Sequence, residues 1–76
     1  MSKRDEAYQA IKEWREAMTD ATGIRAPLAR YDAGWVIFCG GWDRSRRISE
    51  LREWTERLRA RTAARASETA KEQPQP

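Results

Sequence analysis

The sequence predicts a small α+β domain in which a helix, a short antiparallel hairpin and a second helix follow one another (αββ(β)α). Three observations lead there. Apolar residues recur at helical spacing from Ala7 to Ala21, the run WVIFC follows the turn-forming Asp32-Ala33-Gly34, and helical spacing returns at Leu51, Trp54 and Leu58. The two amphipathic helices need something to cover, and the hairpin carries the densest apolar run of the chain.

In SKRDEAYQAIKEWREAMTDATG, Ser2 has the chemistry of an N-cap, Asp5 and Glu6 occupy the first turn where the helix dipole favours carboxylates, and Gly23 supplies the left-handed stop. Ala7, Ile11, Trp14, Met18 and Ala21 form one stripe, widened by Ala10 and Ala17. Pro27 prevents a helix from continuing through the next segment, so Leu28 to Tyr31 reads as an edge strand. Asp32-Ala33-Gly34 then reverses the chain, and Trp35 to Cys39 returns antiparallel. Gly40-Gly41 breaks this strand or makes a bulge. Arg46 to Ile48 is the candidate for a third strand, which leaves the sheet with two strands or three. Ser49 is the preferred cap of the last helix, with a start at Asp43 or Ser45 as the alternative.

All of this material lies in residues 1–65, which form one domain. Beyond Arg65, ASETAKEQPQP has no large apolar residue and is expected to be a disordered tail over 66–76. A single cysteine, Cys39, excludes an internal disulfide, and with no histidine there is no Cys/His zinc cluster, so no metal or other cofactor is expected. The charged N-terminus has no signal-peptide pattern and no apolar run approaches the roughly 18 residues of a membrane span. The expected location is the cytoplasm, away from membranes.

Catalytic signatures are missing. The chain lacks a histidine base, a phosphate-binding loop and a serine nucleophile elbow, and Cys39 in an apolar strand reads as a small core residue. The expectation is a noncatalytic binding protein. Charge points to its partner: residues 1–20 carry four basic and five acidic groups, whereas residues 44–65 carry eight Arg and three Glu. Such a field favours an acidic protein surface or nucleic acid.

Trp42 beside Arg44, Arg46 and Arg47 is the best local cluster, because Trp and Arg dominate interface hot spots. Arg52 and Arg59 lie on one flank of the second helix and extend that contact; Arg57, Arg61 and Arg65 lie on the other. Glu53 with Arg57 and Glu56 with Arg59 are at ion-pair spacing on that helix. Trp14 and Trp54 belong to the core. In the strand, Trp35, Ile37 and Cys39 point to one face and Val36 and Phe38 to the other. Either the helices flank the sheet on both sides, or one face and the sheet edges remain for a partner or for a homodimer through the hairpin.

In architecture, residues 2–65 resemble the small anti-CRISPR inhibitors encoded by phages and other mobile elements, single domains with a short antiparallel sheet packed on one or two helices. The resemblance implies steric inhibition of a host effector complex by protein–protein contact. It carries no matching motif. The alternative function is a small basic DNA-binding or transcription-regulating protein, in which the same arginines meet phosphates.

Overall fold

The computed structural model describes residues 2–72, and their side chains as far as residue 67. Helix α1 spans Lys3–Thr22, strand β1 Ala29–Asp32, strand β2 Trp35–Phe38, and helix α2 Ile48–Glu72; a 3-10 turn occupies Cys39–Gly41. The α+β arrangement is as the sequence predicts. Helix α2 continues to Glu72, so the first part of the segment expected as a tail lies on its last turns, and 73–76 lie outside the described residues. No helix among the described residues is long and apolar enough to cross a membrane.

Helix α1 begins where the Ser2 hydroxyl accepts from the Asp5 amide at 3.2 Å and ends where Gly23, at φ 73°, donates to Thr19. Both ends are therefore satisfied by the residues that the capping rules select. The helix buries Ala7, Ala10, Ile11, Trp14, Ala17, Met18 and Ala21, a stripe of mostly small residues in which Trp14 is the one large flat ring.

The hairpin closes through a two-residue loop with φ of 48° at Ala33 and 87° at Gly34. Positive φ at both positions is the type I′ geometry, whose twist matches the flanking strands. Tyr31 is paired with Val36 and Asp32 with Trp35. Val36 has a second neighbour on its other side: it exchanges both backbone hydrogen bonds with Arg46, at 2.7 and 3.0 Å. The third strand expected over Arg46 to Ile48 is thus reduced to one bridge. Ile48 already belongs to α2, whose first backbone bond runs from Leu51 to Arg47 at 3.0 Å. Ser49 sits inside the first turn instead of capping it, because Ile48 packs against the core and brings the helix start forward.

Both helices lie on one face of the sheet. Val36 and Phe38 are buried beneath them, while Trp35 remains 39 % exposed on the opposite face, which removes the arrangement with helices on both sides. Cys39 leaves the strand for the 3-10 turn and is exposed. Its expected core position is corrected by Gly40 and Gly41, whose φ values of 74° and 65° turn the chain out of the sheet.

The helices run parallel. Glu6 meets Arg52 at 3.2 Å and Glu13 meets Arg59 at 3.5 Å, so contacts advance along both helices together. Between them and the sheet, Trp14, Phe38, Trp42 and Trp54 form a four-ring cluster in which every pair is in contact, with centroids 4.9 to 6.1 Å apart. Tilted and edge-on geometries predominate, as the ring quadrupoles favour.

Candidate binding surface

The two flanks of α2 have different fates. On the flank facing α1, Arg52 is held by Glu6, and Arg59 is shared between Glu13 and Glu56, at 3.5 and 3.4 Å. These are half-exposed pairs, worth at most about 1 kcal/mol each. Their direction nevertheless matters, because both arginines of the expected contact on this flank are turned inward across the helix pair. The Glu56–Arg59 pair forms as the spacing suggests; among the described residues no ion pair joins Glu53 to Arg57.

The opposite flank is different. Arg46, Trp54, Arg57, Leu58 and Arg61 line a shallow groove of about 440 Å³. Trp42, 48 % exposed, stacks on Trp54 with 11° between the ring planes and 5.9 Å between centroids. The Arg46 guanidinium lies 4.5 Å from the centroid of the Trp54 ring, a cation–π contact. Arg57 and Arg61 are exposed and, among the described residues, form no ion pair.

Arg46 is the anchor of this surface. Its backbone is locked to Val36 and its side chain is only 19 % exposed, with Nη2 donating to Asp43 Oδ2 at 3.1 Å. Its Nε is buried and has no hydrogen-bond partner among the described residues. Asp43 in turn accepts from the Arg44 amide at 2.7 Å, and that bond, followed by the one from Arg46, holds its carboxyl below the usual aspartate range. Asp43 therefore remains ionised and neutralises one of the positive charges on this side. Arg44 is exposed and unpaired by any carboxylate among the described residues.

Arg47 is carried to the other side of the sheet. Successive residues of an extended segment point to opposite faces, so once Arg46 turns toward Trp54, Arg47 turns away. Its guanidinium covers Trp35 at 3.9 Å, and its Nη1 donates to the Gly34 carbonyl at 3.1 Å.

Of the six residues expected at the contact, Trp42 and Arg46 come together on Trp54, and the exposed Arg44 adjoins them in the chain. Arg47 is separated by the sheet, and Arg52 and Arg59 by the helix. Arg57 and Arg61 replace them. A signal for this exists in the sequence: at 100° per residue Arg57 and Arg61 project beside Trp54, whereas Arg52 and Arg59 repeat at the seven-residue interval that separates Glu6 from Glu13. Neither a protein-family model, nor a curated protein, nor a solved structure matches this chain.

Proposed function

We propose that the chain is a noncatalytic binding protein that presents the Trp42–Arg44–Arg46–Arg57–Arg61 surface to an acidic patch on a protein partner. The observation that carries this reading is the gathering of Arg57 and Arg61, which have no carboxylate partner among the described residues, and of Arg46, paired only with Asp43 among them, around the stack of the half-exposed Trp42 on Trp54. Arg52 and Arg59, on the flank of α2 that faces α1, are instead paired with carboxylates of α1. Desolvating Trp42 and Trp54 provides the apolar part of an interface, and the guanidiniums provide orientation and rate of encounter. Inhibition of a host effector complex by steric blockage, the activity implied by the resemblance to small anti-CRISPR proteins, is the form of this function that we favour.

A second reading has its own support. Arg57 and Arg61 stand one helical turn apart beside an exposed indole, which is the composition of a site that follows a nucleic-acid backbone and stacks a base. The experiment that separates the two is affinity capture from host lysate with and without nuclease, using the wild-type chain, a variant with Arg44, Arg57 and Arg61 changed to Glu, and a control with Arg52 and Arg59 changed to Ala. A defined protein retained after nuclease, lost from the first variant and kept by the second, supports the acidic-protein reading. Nucleic acid alone, lost on nuclease treatment, transfers the surface to the second reading. Capture that the triple Glu variant leaves intact overturns both.

A further inference from the structure

The two edges of the hairpin are not equivalent. Strand β2 is paired with β1 on one side and bridged to Arg46 on the other, whereas among the described residues β1 has β2 as its only sheet neighbour. The phase of the ladder follows from Val36, which directs both its N–H and its C=O to Arg46. In an antiparallel ladder the adjacent residues Trp35 and Ile37 then face β1, where they oppose Asp32 and Arg30. The bond from the Cys39 amide to the Leu28 carbonyl at 2.9 Å has the same phase. The N–H and C=O of Ala29 and Tyr31 are therefore directed at the open edge.

Open edges are commonly protected by proline, lysine or an inward-pointing charge. The charges on this one are of opposite sign. Arg30 and Asp32 are exposed, they flank Tyr31 on the face away from the helices, and among the described residues neither forms an ion pair. We infer that a second copy of this chain pairs with β1, antiparallel and centred on Tyr31, giving a two-fold dimer with a continuous sheet in the order β2-β1-β1-β2.

In that register Tyr31 exchanges both backbone bonds with its counterpart. Arg30 lies opposite Asp32 of the partner subunit, and Asp32 opposite Arg30 of the partner subunit. Both are non-hydrogen-bonded pairs, the positions at which opposed side chains approach most closely. A parallel pairing would set Arg30 against its own copy. A groove of about 480 Å³ between α1 and β1 runs along the same edge, lined by Tyr8, Ile11, Leu28 and Ala29 and on its α1 side also by the charged Lys12, Arg15 and Glu16, with Leu28 61 % and Tyr8 41 % exposed. Pairing places the second copy against this groove. The inference is independent of the basic surface on α2, which lies beyond the opposite edge of the hairpin.

Sedimentation equilibrium of the full chain, from the micromolar to the millimolar range, tests it. The expected result is a monomer–dimer equilibrium that Arg30→Asp or Asp32→Arg weakens about tenfold or more, since each change sets two like-charged pairs opposite one another. The two single variants, mixed in equal amounts, should dimerise with each other, and the double exchange should restore self-association. Far-UV circular dichroism establishes that each variant folds; if one single variant fails to fold, the other and the double exchange still decide the matter. A wild-type chain that stays monomeric throughout overturns the inference. So does a dimer indifferent to these reversals, or variants that neither complement in the mixture nor recover in the double exchange.

Discussion

Replacing Trp14 by Phe is expected to change stability by no more than about 1 kcal/mol, although Trp14 is fully buried at the centre of the ring cluster. Shortening the ring system leaves a void of roughly 40 Å³, which costs about 1 kcal/mol at the usual dependence on cavity volume. Lost burial of the removed carbons adds about another 1 kcal/mol. Against this, Trp14 Nε1 is buried without a hydrogen-bond partner among the described residues, and removing an unsatisfied donor returns about 1–3 kcal/mol. The terms nearly cancel. Trp14→Ala has no comparable compensation beyond the same donor and costs about 3–5 kcal/mol, a large part of the total of about 4–10 kcal/mol expected for a domain of this length. Urea denaturation followed by far-UV circular dichroism reads both variants, with the Phe variant shifting the midpoint by no more than about 1 M at a slope near 1 kcal/mol/M. A loss of about 3 kcal/mol or more in the Phe variant would refute the reasoning, because it would mean that the indole N–H is a stabilising group.

Three further outcomes follow from the turn and from Asp43. Ala33→Asn should stabilise the hairpin by about 0.5–1 kcal/mol, since φ of 48° suits Asn better than Ala in a type I′ turn; a thermal melt that moves down would contradict the turn assignment. Gly34→Ala should destabilise by about 1–2 kcal/mol, because a Cβ there would lie 2.6 Å from Arg47 Nη1 as well as at positive φ, and fluorescence of Trp35 should report the displaced guanidinium. Asp43 has a carboxyl pKa below its unfolded value, so its contribution is complete above the ordinary aspartate pKa and is lost as pH falls through the lower, folded value. Thermal melts of wild type and Asp43→Asn across that acid range should therefore converge as pH falls; parallel curves would show that the ionised Asp43 carboxylate, held by the Arg44 amide and by Arg46, contributes nothing to stability.

Local chemistry made most of the fold legible. Ser2 and Gly23 bound α1 because capping is decided within four residues, and Asp32-Ala33-Gly34 marks the hairpin because its glycine supplies the positive φ that a tight turn needs. Ser49 misled for the complementary reason: a good local cap was overruled by the burial of Ile48 and by the bridge from Arg46 to Val36, both tertiary effects. The candidate surface was legible at Trp42, Arg44 and Arg46, which are close in sequence. Arg52 and Arg59 depend on which flank of α2 meets α1, and that is settled by the parallel direction of the helices, a property that no single segment encodes.

That parallel direction also governs how the chain must fold. Two consecutive antiparallel helices can zip from their connecting loop, but here the ion-paired positions Glu6 and Arg52, like Glu13 and Arg59, are forty-six residues apart. The helix pair can close only after the intervening hairpin has carried the chain back along the full length of α1. A domain that is mostly helical should therefore fold at the pace of a β-rich one, limited by loop closure and long-range contact, not by helix formation. During synthesis α1 emerges before α2, and the part of its apolar stripe that α2 covers stays open until α2 has left the ribosome, the interval in which a partner, a chaperone or a protease has access to it.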